Sequence, residues 1–303
     1  MPDFISPKKI LITGGNGFVG EHLRKRISCL ELGGADGPVD VRDRRKVQEE
    51  LSKTMPDAVI HLAAITFVPF SIENPRRTYD VNFTGTFNLL ESLNGIGFRG
   101  CFLYVSSGDA YGLVDSSKLP VTEEQALRPR NPYGGSKAAA EALCFQWSQT
   151  CPFRVVIARP FNHIGPGQSS RFVVSHLARQ LVEIEQKKRE PVLDVGDMNV
   201  QRDFTDVRDI TKAYELLLGA GKSGEAYNVC SGKAVSIRTV LDRLVEGSDI
   251  NPDIRIDSSR IRPYEQKTMF GSFRKLESAT GWRPDMDLGQ TLNDILEFWR
   301  MKS

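Results

Sequence analysis

The sequence predicts an α/β fold, a doubly wound parallel sheet followed by a smaller α/β unit toward the C-terminus. Three observations predict it. Short apolar runs (Lys9 to Ile12, Asp57 to Ala64, Cys101 to Val105, Phe153 to Ala158) alternate with segments of helical periodicity, the pattern of parallel strands covered on both faces. The first run passes directly into a glycine-rich turn that opens a helix. A Pro/Gly-rich stretch, Arg159 to Gln168, then marks a crossing out of the sheet. On this basis residues 1–165 and 200–230 form the sheet domain, and residues 166–199 and 231–303 form the second one.

Taken in order, Lys9 to Ile12 is a strand, Thr13 to Gly20 the turn, and Glu21 to Ile27 a helix. Gly14, Gly17 and Gly20 lack a Cβ, which lets the backbone approach a pyrophosphate at a helix N-terminus, so the unit reads as the phosphate cradle of a dinucleotide site. Cys29 to Leu32 leaves room for only a short second strand, and the sequence names no residue there that chooses between NAD and NADP. Val39 to Asp43 leads into a helix from Arg44 to Lys53. Asp57 to Ala64 is a buried strand ending in small residues, as a backbone passing close to a ligand requires, and its His61 reads as a satisfied core residue. Pro75 to Leu93 reads as one helix with Tyr79, Phe83, Phe87, Leu90 and Leu93 toward the sheet; Asn82 is expected in a buried hydrogen bond, structural or facing the cofactor.

Cys101 to Val105 delivers Ser106 to Gly112 to the carboxyl edge of the sheet, where open α/β sheets bind ligands. Asn131 to Lys137 opens a further helix, with Pro132 in the first turn and Tyr133 and Lys137 at i and i+4 on one face. An ammonium fixed beside a phenol favours the phenolate and brings its titration toward neutrality. Ser107 adds a hydroxyl that can polarise a carbonyl, so Ser107, Tyr133 and Lys137 form the candidate catalytic set for ketone/alcohol interconversion. Beyond the crossing come a helix from Phe172 to Lys187, a strand from Pro191 to Val195, and a helix from Ile210 to Leu218 with Asp206 as N-cap. Tyr227 to Cys230 is the last sheet strand, and two helices follow, around Val240 and from Thr291 to Met301.

Forty Lys and Arg balance 38 Asp and Glu, so no global field points to nucleic acid or an anionic membrane. Five scattered cysteines, without a Cys-x-x-Cys spacing, argue against a disulfide frame and a zinc site and suit a reducing cytoplasm. No apolar run approaches the roughly 20 residues that span a bilayer, and no cleavable signal opens the chain.

With these residues in hand, the chain resembles the extended short-chain dehydrogenase/reductases that act on nucleotide-activated sugars, from Ile10 to about Trp299. The glycine turn, Ser107, Tyr133 and Lys137 carry the resemblance, together with Arg159 to Gln168, Arg202 to Asp209 and Tyr227 to Gly232. It implies a Rossmann-type sheet domain with a nucleotide-sugar-binding domain beside it, and NADPH or NADH as cofactor. Gly14, Asn16, Gly17, Phe18, Val19 and Gly20 are then expected at the pyrophosphate, Asp40 and Val41 at the adenine, and Leu62, Ala63, Ala64, Asn82 and Pro160 along the cofactor. Tyr133 and Lys137 would also touch it, Lys137 at the nicotinamide ribose while lowering the pKa of Tyr133. The resemblance further assigns Ser107, Gly108, Asp109, Asn162, Arg202, Arg262 and Glu265 to the sugar nucleotide, the two arginines on its diphosphate and Glu265 on a ribose.

The activity it implies is reduction of the 4-keto group of GDP-4-keto-6-deoxy-D-mannose to GDP-D-rhamnose. The rival inside the family is a GDP-mannose 4,6-dehydratase or another epimerase or dehydratase, because Asp109 stands where related dehydratases carry their C5 base. Against it, Asp109 is shorter than the expected glutamate, and Phe172 to His176 lacks the basic residues expected of that dehydratase. The rival from another class is a dinucleotide-sensing protein without chemistry, against which the intact Ser107, Tyr133 and Lys137 count. By analogy, a homodimer is expected through a four-helix interface made of Asn74 to Leu93 and Pro132 to Thr150.

Overall fold

Short strands that are buried along their whole length need cover on both faces, and Ile10–Thr13, Ala58–His61 and Cys101–Val105 are of this kind within one six-stranded parallel sheet. The computed structural model describes residues 7–34, 37–248, 250–258 and 266–302. The first five sheet strands are β1 (Ile10–Thr13), β2 (Cys29–Glu31), β3 (Ala58–His61), β4 (Cys101–Val105) and β5 (Arg154–Pro160). Outside the sheet lie β6 (Asn162–Ile164), β7 (Val192–Val195), β8 (Gln201–Arg202) and β9 (Phe204–Asp206), and the sixth sheet strand is β10 (Ala226–Val229). The spatial order is β10-β5-β4-β3-β1-β2, every pair parallel. The order reverses at β1, so the carboxyl ends of β1 and β3 flank the crevice where such sheets take a ligand.

In chain order the helices are α1 (Phe18–Arg26), α2 (Arg44–Thr54), α3 (Val68–Glu73), α4 (Pro75–Tyr79), α5 (Gly85–Gly95), α6 (Pro132–Thr150), α7 (Val173–Glu185), α8 (Val207–Ala220), α9 (Ile237–Glu246), α10 (Arg274–Thr280) and α11 (Leu288–Lys302). Local chemistry explains several of their starts. Asn131 accepts the Gly134 N–H at 2.8 Å and Pro132 fills the first turn of α6, as its sequence predicts. Asp206 caps α8 by accepting the Arg208 N–H at 2.7 Å, although that helix begins three residues before the expected Ile210.

The segment from Pro75 onward departs from the regular helix expected of it. A π-helical turn, Asp80–Thr84, joins α4 to α5. The wider turn breaks the 3.6-residue period, so Leu90 and Leu93 reach the sheet core while Tyr79 and Phe87 stay 40% and 38% exposed. The π-turn also holds Asn82. Its side chain accepts the Ile65 N–H at 2.8 Å and donates to the Ile65 carbonyl and to Ser136 Oγ, both at 2.9 Å. That pins the loop after β3 to α6.

A second apolar core, with Leu177, Leu181, Leu193, Val240, Leu244 and Ile295, joins α7, α9 and α11 beside the paired strands β7 and β11 (Asp253–Ile256). Leu276 and Trp282 lie in the segment 231–303 but pack in the sheet core, where Trp282 Nε1 donates to the Asp209 carbonyl at 3.0 Å. Asp203 ties the two regions together. Its carboxylate is fully buried and accepts from the N–H groups of Ser231 (2.6 Å), Gly232 (3.0 Å) and Gly271 (3.2 Å) and from Ser231 Oγ (2.7 Å). Asp203→Ala leaves those buried donors without an acceptor and is expected to destabilise by roughly 1–3 kcal/mol. Urea midpoints equal for Asp203→Ala and wild type would refute this role.

Candidate active site

The glycine turn closes on the loop after β3, and the geometry shows why glycine is needed. Gly14 has φ +72°, and a Cβ there would stand 2.8 Å from the Ala63 nitrogen; one at Gly20 would stand 2.6 Å from the Gly14 oxygen. Ala63 N–H donates to Thr13 Oγ1 at 3.1 Å, so Leu62, Ala63 and Ala64 run against the turn. Gly17 is the N-cap of α1 and supplies no side chain to its first turn, which leaves the N–H groups of Phe18, Val19 and Gly20 directed at the crevice. Phe18 stacks on His163 (centroids 6.1 Å, 5° between planes), so the stretch that follows Pro160 walls this end. This cradle, with its open amides and no room for a Cβ, fits the pyrophosphate of a dinucleotide.

Asp40 and Val41 lie at the same edge. Val41 packs into the core and its carbonyl is held by Asn88 Nδ2 at 3.0 Å, while Asp40 is exposed and its carboxyl is drawn below the usual range, chiefly by hydrogen bonding to Arg42. His61 is the core residue expected. Its ring lies 2.7 Å from Thr13 Oγ1 and 3.0 Å from Thr86 Oγ1, and burial, with a smaller push from the Lys137 charge, lowers its pKa to about 3. Between pH 6.5 and about 3 the unfolded chain binds a proton that the folded chain refuses. Stability present above pH 6.5 is therefore lost as the pH falls through that window, on the order of a few kcal/mol from this one group. His61→Gln should flatten the pH dependence of the unfolding free energy there; an unchanged slope would show that other groups govern it.

Ser107, Tyr133 and Lys137 converge at the carboxyl end of β4. Ser107 caps the 3₁₀ turn Gly108–Tyr111 and accepts the Asp109 N–H at 3.1 Å, while its hydroxyl also hydrogen-bonds the Tyr133 phenol. Gly134 lets α6 approach this turn, since a Cβ there would stand 2.7 Å from the Asp109 oxygen, and Gly135 leaves room for the Tyr79 hydroxyl of α4. Gly108 packs under the Phe161 ring, and Asp109 is exposed.

One expectation about this trio is overturned. Lys137 Nζ donates to the Val105 carbonyl at 2.7 Å and lies 5.1 Å above the Tyr104 ring, and its charge does not hold the phenol down. Burial, then the Asp109 charge, push the Tyr133 pKa up, and only the Ser107 hydrogen bond opposes them. Burial also lowers Lys137 to about 8. The i,i+4 spacing correctly puts both groups on one face; it carries no information on how much water that face retains.

Behind the trio lies a network that the sequence did not reveal. Glu141, one turn beyond Lys137, pairs with Arg159 through three contacts of 2.6 to 3.0 Å, and accepts the Ser106 hydroxyl next to Ser107. Arg159 Nη1 donates to Tyr111 Oη at 2.9 Å, and Tyr111 donates to Asn228 Oδ1 at 2.7 Å. Burial disfavours the Arg159 charge, but Glu141 and Tyr111 outweigh it and raise its pKa. A carboxylate at i+4 from Lys137 was the available signal, but its partner lies on β5, outside α6.

The expected sugar-nucleotide residues are only partly assembled. Asn162 is exposed at the start of β6 and pairs with Phe204 of β9. Arg202 Nη1 donates to the carbonyls of Gln201 and Gln266, both at 2.8 Å. Arg262 and Glu265 lie outside the described residues. Among the described residues no helix is long and apolar enough to cross a membrane, no His/Cys/Asp/Glu group could hold a metal, and all five cysteines are unpaired.

The family described as GDP-mannose 4,6 dehydratase matches residues 38–295. The GDP-6-deoxy-D-mannose reductase of Pseudomonas aeruginosa is 43% identical over 298 residues, 97% of this chain and 98% of the relative. The GDP-6-deoxy-D-talose 4-dehydrogenase of Aggregatibacter actinomycetemcomitans is 31% identical over 90% of this chain and 91% of its own. The solved structure of RMD from Pseudomonas aeruginosa complexed with NADPH superposes with a TM-score of 0.92 at 42% identity, covering 97% of this chain and 99% of that one. With the parallel sheet, glycine cradle and Ser107/Tyr133/Lys137 cluster already in place, these matches show that the chain belongs to the GDP-mannose 4,6 dehydratase family, among the extended short-chain dehydrogenase/reductases of nucleotide sugars.

Proposed function

We propose that the protein reduces the 4-keto group of GDP-4-keto-6-deoxy-D-mannose to give GDP-D-rhamnose. The observation that carries this reading is the hydrogen-bonded Ser107/Tyr133 pair at the sheet's carboxyl edge, with Tyr133 kept protonated by burial and by Asp109. The likeness to a GDP-6-deoxy-D-mannose reductase supports the substrate. The cradle of Gly14, Gly17 and Gly20 would hold a nicotinamide dinucleotide, which in its reduced form would supply the hydride. Ser107 hydrogen-bonds the carbonyl oxygen, and Tyr133 gives its proton to the alkoxide that forms there. Lys137, anchored on the Val105 carbonyl at the same end of β4, would contact the nicotinamide ribose. Asn162 and Arg202, with Arg262 and Glu265, hold the nucleotide diphosphate and ribose of the substrate.

The test is optical: NADPH or NADH oxidation by purified protein with the keto sugar generated in place. Oxidation that needs the sugar supports the reductase. Release of a 4-keto product from GDP-mannose, without net oxidation, points to the dehydratase. That second reading draws on one observation, the exposed Asp109 beside Tyr133. In a reductase its charge holds the phenol protonated and orients the substrate; deuterium exchange at C5 that disappears in Asp109→Asn would make it a C5 base instead.

The sheet core and the core around α7, α9 and α11 support the division into cofactor and substrate domains. The proposed homodimer pairs the α4–α5 segment and α6 with their counterparts. Phe145 is 55% exposed there, and Phe87 meets the Trp147 ring edge-on. A cytoplasmic location is supported by the five unpaired thiols.

A further inference from the structure

We infer that Ser106 and Glu141 are positioning residues for the reduction: they bracket the turn that carries Ser107 and lock it to the helix that carries Tyr133, which rests on the reductase reading proposed above. Three consecutive residues at the end of β4 each hold one residue of α6. The Val105 carbonyl accepts from Lys137 Nζ at 2.7 Å, the Ser106 hydroxyl donates to Glu141 Oε1, and the Ser107 hydroxyl hydrogen-bonds the Tyr133 phenol. Tyr133, Lys137 and Glu141 follow one another at four-residue spacing along α6, one row of its surface, so strand end and helix meet in a single register.

Glu141 also reaches the far side of Ser107. Its Oε2 accepts from Arg159 Nη2 at 2.6 Å, and Arg159 Nη1 donates at 2.9 Å to Tyr111 Oη, at the end of the 3₁₀ turn that Ser107 caps. The turn is therefore held by Ser106 before it and by Tyr111 at its close, and both ties run to one carboxylate. The Ser106 N–H donates to the Ala158 carbonyl of β5 at 2.8 Å, which fixes the backbone and leaves the hydroxyl for Glu141. Both side chains are buried, so little water competes for the bond between them. A buried ion pair is a poor source of stability compared with packed apolar side chains, and hydrogen bonds from Ser106 and Arg159 give this one a fixed direction. Ser106 and Glu141 act through Ser107. A hydroxyl that polarises a carbonyl must be well placed, and a displacement of about 1 Å costs up to about 10²-fold in rate.

The test is a kinetic cycle on the purified full-length protein, with kcat and KM read from dinucleotide oxidation by the keto sugar. Ser106→Ala is expected to lower kcat by about 10- to 10²-fold, with KM for the sugar and dinucleotide affinity near wild type. Ser106→Cys, of similar volume but with only a weak donor, should fall alongside it, and Ser106→Thr, which keeps a hydroxyl, should recover most of the loss. On a Ser107→Ala background, Ser106→Ala should cost nothing further, because the group through which it acts is gone. Loss of packing alone would slow both backgrounds equally. Wild-type kcat in both the Ala and Cys variants, a Thr variant as slow as the Ala variant, or an equal fall with and without the Ser107 hydroxyl overturns the inference and leaves the reductase standing. Wild-type protein that oxidises neither NADPH nor NADH with the keto sugar overturns the reductase reading and the inference together.

Discussion

Tyr133→Phe is expected to lower kcat for keto-sugar reduction by about 10²- to 10⁴-fold, the range ordinarily lost with a positioned general acid. The phenol ring stays in place, so dinucleotide affinity and thermal stability should remain near wild type. The loss falls on proton delivery, because the phenol is hydrogen-bonded to Ser107 and kept protonated by burial and the Asp109 charge. With the Tyr133 pKa raised by burial and Asp109, the acid form is present throughout the neutral range, and reduction should slow only as alkaline pH removes that proton. Asp109→Asn removes one of the two causes of the rise and should move the alkaline limb to lower pH. A Phe variant that kept a tenth of wild-type kcat would mean that another group, or water, supplies the proton.

The largest stability effect is expected at Glu141. Glu141→Leu removes the partner of a guanidinium that is itself only 8% exposed, and breaking a buried pair from one side costs about 3–5 kcal/mol because the remaining charge stays uncompensated. The double variant Glu141→Leu with Arg159→Met should recover much of this, since removing both charges removes the unpaired ion. Urea midpoints for the two single variants and the double variant measure the coupling. A double variant as unstable as the worse single one would show that the pair is not the unit. The same network holds Ser106 beside Ser107, so the recovered double variant should still show a lowered kcat.

Much of the fold was legible because it depends on neighbours in the chain. β1, the glycine turn and α1 follow from an apolar run, three glycines and a helix start, and Gly14 does adopt the left-handed φ for which glycine is suited. The start of α6 at Pro132 with its Asn131 cap, and the shared face of Tyr133 and Lys137, are equally local. The long helix from Pro75 was legible as a helix and not as a helix with a π-turn, because the wide turn at 80–84 is set by what Asn82 must reach, Ile65 and Ser136, and not by the propensities of Asp80 to Thr84. α3 and α10 are too short for periodicity to separate them from loop.

What the sequence by itself determined about this protein is therefore its parallel α/β plan, the cradle at Gly14, Gly17 and Gly20, and the residue types of the Ser107/Tyr133/Lys137 set. The tertiary structure alone decided which charges meet and how dry they are. Glu141 finds Arg159 from another element, Asp203 gathers amides from Ser231, Gly232 and Gly271, and Glu31 reaches the turn at Gly15 from a three-residue strand. Lys137 turns to the Val105 carbonyl, and Tyr133 titrates higher than its spacing from that lysine suggests. The reason is physical: backbone periodicity is a property of consecutive residues, whereas Coulomb energy and desolvation depend on distance and burial, which only the folded chain defines.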